Sequence, residues 1–239
     1  MELFYSENLR YTDETLFFSK EESRHLNKVL RKKPGDLISV TNGEGLEWKG
    51  EIVSTGIRKV VAQKTESLFH QNKITPLHIA IAPTKSNDRM EWFLEKATEI
   101  GVTQITPILC QHSERKSIKT DRLKKILVGA LKQSAQFYLP KLNPLLSYED
   151  FIGLGHQDLK LLAHCQNGNK KNLSLIENLD GNLLIVIGPE GDFSEVEIEM
   201  AREMIFTEIT LGSQRLRTET AGVVACSKVA TFREILKNK

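Results

Sequence analysis

Two glycine-bearing segments hold the residue types that could do chemistry in this chain. The first is Ile187-Gly188-Pro189-Glu190-Gly191-Asp192-Phe193-Ser194, and the second is Leu211-Gly212-Ser213-Gln214-Arg215-Leu216-Arg217-Thr218-Glu219-Thr220-Ala221. Each follows an apolar run and precedes a helical pattern, which is where open α/β sheets take up ligands. Glycines let a ligand approach the backbone closely, and Pro189 stiffens its loop. On neighbouring strands the two loops would wall one pocket. Read singly, each is equally a tight strand–helix turn, the second with a capped helix and solvated arginines. Neither GxGxxG nor GxxxxGK[ST] occurs, so a dinucleotide fold and a P-loop are not supported. Cys110, Cys165 and Cys226 are far apart, and CxxC and HExxH are absent. Neither a metal site nor a disulfide framework is therefore expected, and a reducing cytoplasm is the simplest setting.

The elements that must position these loops follow from periodicity. Apolar or alternating runs at 37–40, 48–53 and 60–62, separated by Asn42-Gly43-Glu44-Gly45 and Ser54-Thr55-Gly56, predict a small β-barrel. One helix is expected over 21–32, with Leu26, Val29 and Leu30 on one face and Pro34-Gly35 beyond its end. The polar stretch 67–75 reads as a linker. From Leu77 the pattern becomes strand–helix alternation, with strands at 77–82, 104–110, 160–164, 182–187 and 208–211. Helices are expected at 88–101, 121–137, 194–205 and 220–236, with Ser194 and Glu197 forming a capping box. Thr218 or Thr220 can cap the last one. Such alternation implies a mostly parallel sheet covered on both faces by helices.

The 239 residues suit one large domain or two small ones, and 40% hydrophobic with 27% charged residues is ordinary globular composition. No run approaches the ~18 apolar residues of a membrane span. Met1-Glu2-Leu3-Phe4 lacks the basic region and apolar stretch of a secretory leader, so none is expected. The net charge of +2 is unevenly spread: residues 71–145 hold twelve basic and six acidic side chains. Arg115, Lys116, Lys119, Arg122, Lys124 and Lys125 are the densest part, either a solvated helix face or a contact for an anionic partner.

GPEGDFS followed by LGSQRLRTETA closely resembles the RsmE-type enzymes of the SPOUT superfamily, which methylate N3 of a uridine in bacterial 16S ribosomal RNA. The likeness extends along the chain: HLNKVLR at 25–31, KSNDRMEWFLEKATEIG at 85–101 and Ser113-Glu114-Arg115 look like further family motifs. Two positions depart from the pattern. Asp192 stands where the family has a second glycine after GPEG, and Gln136 stands where a Q-S-x-R element carries arginine.

The resemblance implies an α/β fold in two parts, a PUA-like RNA-binding β-barrel over 1–72 and a SPOUT α/β domain over 73–239 with a trefoil knot. In such knots S-adenosylmethionine lies among three loops. The matching positions are His164, Cys165, Ile187, Gly188, Pro189, Glu190, Gly191, Leu211, Gly212, Leu216, Thr220 and Ala221. The sulfonium is already a strong electrophile, so no metal is expected. Uracil N3 holds its proton at neutral pH, so a cation favouring the deprotonated base would help most. Arg217 is the candidate for that cation, with Glu219 either orienting it or acting as base. Arg10, His25, Arg31, Lys85, Arg115 and Lys116 are the candidates for binding RNA. The expected partners are 16S ribosomal RNA, within the small ribosomal subunit, and a second copy of the chain; the last helix, through Ala221, Val224, Ala225, Val229 and Phe232, could supply part of the dimer surface. Two alternatives stay open: a SPOUT methyltransferase of another RNA nucleoside, and a non-catalytic ribosome-assembly RNA-binding protein.

Overall fold

The computed structural model describes residues 2–56, 59–72, 75–154 and 159–237. It divides into two compact units: residues 1–73 with 131–139, and residues 74–130 with 140–239. The first unit thus takes in a segment that the expected boundary at 72/73 leaves in the second part.

In the first unit, β1 (Leu3–Tyr5), β2 (Thr15–Phe17), β3 (Leu37–Thr41), β4 (Leu46–Thr55) and β5 (Val60–Phe69) form one sheet in the order β1-β3-β4-β5-β2. Irregular register between β4 and β5 at Lys49/Gly50 and Ile52/Ser54 bends the ladder, as bulges do. The sheet is curled, and among the described residues no ladder closes β1 onto β2, so it is a half-barrel. Trp48, with no exposed surface, centres its core and donates from Nε1 to the carbonyl of Asp13 over 2.8 Å. The expected linker is largely strand: Ser67, Leu68 and Phe69 still pair with β4. Residues 73 and 74 of that stretch lie outside the described residues.

The helix expected over 21–32 is shorter and changes form. After α1 (Lys20–Arg24), capped by Ser19, the chain makes a π-helical turn over His25–Val29. The wider turn breaks the 3.6-residue spacing. Leu26 is buried and Leu30 packs against the core from the edge, while Val29 is left 65% exposed. Arg31 then adopts a left-handed φ of 54°.

Residues 131–139 join this unit through backbone pairing. Gly45 donates to the carbonyl of Phe137 and Leu139 donates to that of Gly43, both at 2.8 Å. The ring of Phe137 stacks on His70 at 3.8 Å. A Cβ on Gly45 would lie 2.3 Å from the Tyr138 hydroxyl, so only glycine permits this approach.

The second unit is built on a parallel sheet. Its strands are β6 (Leu77–Ile81), β7 (Gln104–Leu109), β8 (Lys141–Leu142), β9 (Leu146–Ser147), β10 (Leu159–Ala163), β11 (Lys171–Asn172), β12 (Leu183–Ile187) and β13 (Thr207–Thr210). They lie in the order β11-β13-β10-β12-β6-β7-β8, with β9 also on β7. The helices are α2 (Asn87–Ile100), α3 (Thr120–Gln133), α4 (Tyr148–Ile152), α5 (Glu195–Glu203) and α6 (Thr218–Lys237). Helix α3 stops at Gln133, short of 137, and Ala135 follows with φ 52°. Ala80, Leu162, Leu184 and Val186 pack with Tyr148, Phe151 and Ile198 of α4 and α5. Gly222 of α6 lies against Phe93 of α2 and Ile81, so α2 and α6 pair on the other face. Ala225 and Val229 of α6 are buried within the chain itself and therefore unavailable as a dimer surface. Ser194 and Glu197 form the expected capping box. Among the described residues no helix is long and apolar enough to cross a membrane.

Candidate active site

The strand order places β10 between β12 and β13. All three run parallel, so the loops leaving their carboxyl ends meet. They enclose a cavity of about 330 Å³ whose wall also takes in the first turn of α6. Of the residues expected to hold a cofactor, His164, Cys165, Ile187, Gly188, Pro189, Glu190, Leu211, Leu216 and Ala221 line it. Gly191, Gly212 and Thr220 do not line it. A Cβ at Gly191 would come within 2.9 Å of His112 Cβ, so its glycine serves loop packing.

Arg217 lines the cavity, and Glu219 does not. Helix α6 opens at Thr218, two residues earlier than expected. The Arg217 carbonyl accepts its first helical bond from Ala221 (2.7 Å). Arg217 therefore stands at a helix N-terminus, where the backbone dipole also favours an anion. Thr218 does not cap with its side chain; its hydroxyl donates to the carbonyl of Gly188 over 3.1 Å. Glu219 is buried: Oε1 lies 3.7 Å from Nε of Arg89, and Oε2 has no partner. Arg89, on α2, is a neighbour that no spacing in the sequence pointed to.

His164 is fixed by a chain of charges. Its ring Nε2 lies 2.8 Å from Glu208 Oε2, and Arg202 Nε donates to Glu208 Oε1 over 2.7 Å. Burial pushes the His164 pKa down, against the pull of Glu208, while Arg202 holds the Glu208 carboxyl low. A neutral ring donating from Nε2 leaves Nδ1 as an acceptor, and that buried atom has no partner.

Asp192, Ile209, Thr210, Gln214, Arg215 and Thr218 also line the cavity and were not expected as site residues. The two arginines of the second motif gave a signal for Arg215; nothing separated Gln214 from an ordinary loop residue. The walls combine the apolar Ile187, Ile209, Leu211, Leu216 and Ala221 with two carboxylates, Glu190 and Asp192.

The residues assigned to RNA are differently placed. Arg10, His25 and Arg31 are exposed on the first unit, and Lys116 is exposed on the second. Arg115 is engaged: Nε donates to the carbonyl of Thr84 (2.9 Å) and a terminal nitrogen to that of Lys85 (2.5 Å). Lys85 pairs with Glu114 at 2.8 Å, and its backbone N–H donates to Glu190. Arg115 and the Lys85 backbone thus brace the Gly188-Pro189-Glu190-Gly191 loop through Glu190, while the Lys85 ammonium stays exposed.

Comparison with known proteins agrees with this architecture. The family model of the RNA methyltransferase domain matches residues 70–230, and that of the RNA methyltransferase PUA domain matches residues 18–64. A ribosomal RNA small subunit methyltransferase E from Mesomycoplasma hyopneumoniae (strain 232) is 34% identical over 84% of this chain and 88% of its own length. The chain belongs to the RsmE family of RNA methyltransferases. Two solved structures extend the likeness. A probable rRNA-methyltransferase from Porphyromonas gingivalis superposes with a TM-score of 0.91 at 34% identity, over 99% of this chain and 100% of that one. The RsmE enzyme of Neisseria gonorrhoeae, solved bound to S-adenosyl methionine, gives a TM-score of 0.88 at 27% identity, covering 97% and 98%.

Proposed function

We propose that the chain transfers the methyl group of S-adenosylmethionine to N3 of a uridine in 16S ribosomal RNA. It does so in the cytoplasm, as a homodimer, on the small ribosomal subunit. The observation that carries this reading is the single cavity closed by the loops after β10, β12 and β13, with Arg217 on its wall. Its residues suit that cofactor. Apolar side chains can flank adenine, the Glu190 carboxylate suits the cofactor's positively charged groups, and the unpartnered Nδ1 of His164 offers an acceptor. The first turn of α6, bonded to Gly188 and packed back across β12 and β6, supports a knotted thread through these loops. Val224 and Phe232, only half-buried on α6, remain for a second copy.

When bound, S-adenosylmethionine supplies an electrophilic methyl on a sulfonium that departs as the neutral thioether as N3 takes the methyl. The chain's own residues do the rest. Arg217 places a guanidinium where the uracil anion develops, so its help grows as the N3 proton leaves to solvent. Glu219, which does not line the cavity and lies beside Arg89, is suited to orienting the start of α6 rather than to taking the proton. Arg10, His25 and Arg31 on the one unit and Lys116 on the other are free to meet phosphate, whereas Arg115 holds the 84–85 turn in place. Mass mapping of ribosomal RNA from a deletion strain, before and after complementation, tests the reading. A methyl-uridine mass that disappears and returns supports it; unchanged RNA refutes it.

A further inference from the structure

Asp192, on the cavity wall, is held by both its side chain and its backbone. Its φ of 64° lies in the left-handed region, which costs a side-chain-bearing residue something and is best tolerated by glycine, asparagine and aspartate. One carboxylate oxygen, Oδ2, accepts from the backbone N–H of Cys165 over 2.8 Å. The other, Oδ1, accepts from the N–H of Phe193 over 3.0 Å. The Asp192 N–H donates to the carbonyl of Pro189 (2.9 Å), and its own carbonyl lies 3.0 Å from Nδ1 of His112. Three strand-end loops, those after β7, β10 and β12, therefore converge on this residue. A second rung runs parallel, from Gln166 Nε2 to the carbonyl of Phe193 at 2.5 Å.

We propose that Asp192 is a positioning residue for the cofactor, its carboxylate clamping the loop after β10 to the loop after β12 so that both walls stand formed before the ligand enters. The claim rests on the cavity being the S-adenosylmethionine site. A loop held less firmly is ordered in part by the ligand, and that ordering lowers apparent affinity. A charge-assisted bond to a backbone N–H is among the stronger ways to hold it beforehand. The carboxylate does not itself meet the uracil, so the effect falls on binding and leaves the methyl-transfer step alone.

The test uses the full chain with Asp192→Gly and Asp192→Asn. Glycine takes the left-handed φ without strain, so Asp192→Gly folds and removes only the clamp. Asparagine keeps one acceptor oxygen and loses the charge. Affinity for S-adenosylhomocysteine is measured by calorimetry, and KM and kcat for S-adenosylmethionine at saturating RNA. Asp192→Gly should weaken S-adenosylhomocysteine by about tenfold, equivalent to ~1.4 kcal/mol, and raise KM similarly with kcat within twofold of wild type. Asp192→Asn should fall between. Affinity and KM within twofold of wild type in Asp192→Gly, or a fall in kcat at constant KM, would overturn the clamp. Wild-type protein that takes up no S-adenosylhomocysteine would overturn the cofactor reading itself, and the clamp with it.

Discussion

Thr218 and Gly188, thirty residues apart, are bonded side chain to backbone: the threonine hydroxyl donates to the glycine carbonyl over 3.1 Å, and both residues are buried. The start of α6 is thereby registered on the loop after β12. Arg217 is one residue upstream, so this bond sets where its guanidinium enters the cavity. Thr218→Val keeps the shape and leaves the buried carbonyl of Gly188 without this donor. The expected cost is ~1–3 kcal/mol in urea unfolding, with a slower methyl transfer.

Space in the cavity is best probed from the helix side. Gly188→Val looks from the sequence like a way to fill the pocket and leave the fold intact. In the structure a Cβ on Gly188 would meet the buried ring of Phe193 at 2.9 Å, so that variant disturbs the core. Ala221, half-buried on α6, faces the cavity and has room to extend into it. Ala221→Leu should therefore abolish most S-adenosylhomocysteine binding, by tenfold or more, with thermal stability close to wild type. Calorimetry paired with a melting curve checks both halves.

The buried His164 predicts an acid-side loss of stability. Its pKa is pushed below the ordinary 6.5, chiefly by burial, so the unfolded chain binds the proton more readily. Stability is then complete above about pH 6.5 and declines as pH falls from there toward the lowered value. Glu208, depressed by Arg202, adds a further loss below its ordinary 4.5. His164→Asn should flatten the unfolding free energy between pH 7 and pH 5, whereas wild type slopes downward with acidification.

Two adjacent cations should behave differently. Lys116 is exposed, so Lys116→Ala should lower the salt slope of RNA binding by roughly 0.7–0.9 without altering stability. Arg115→Ala removes two donors from backbone carbonyls and should destabilise the 84–85 turn and the Glu190 contact above it. Binding titrations across salt, alongside urea unfolding, separate the two.

Much of the second unit was legible because its strands are buried apolar runs and its helices end in strong signals, such as Gly101 after α2 and the Ser194–Glu197 box of α5. The first unit was less so. Strands β1 and β2 have three residues each and pair with partners far along the chain, Leu3 with Ser39 and Phe17 with Val61. No local pattern encodes such pairs. The π turn at His25–Val29 defeats a 3.6-residue reading, and the pairing of residues 137–139 with Gly43 and Gly45 has no signal in either segment. In the site, the two glycine loops marked eight of the expected residues that line the cavity, Arg217 among them, whereas His164 and Cys165 were pointed to only by the family resemblance. Charge in a motif does not say how a side chain is spent: Glu219 is buried with one carboxylate oxygen unpartnered, and Arg115 bonds backbone carbonyls at 84 and 85.

The central claim is that Arg217 stabilises the uracil anion, and single-turnover methyl transfer by Arg217→Ala at saturating RNA, followed across pH, tests it most directly. The rate constant should fall by ~100-fold or more at neutral pH with little change in cofactor affinity, the scale of a lost electrostatic stabiliser. The gap to wild type should narrow as pH rises, because more uracil is then deprotonated unaided. Arg217→Lys should recover only part, since a point charge does not reproduce the planar fork. A rate restored to wild type by RNA concentration alone, with a gap that does not change with pH, would contradict the account and leave Arg217 a phosphate contact.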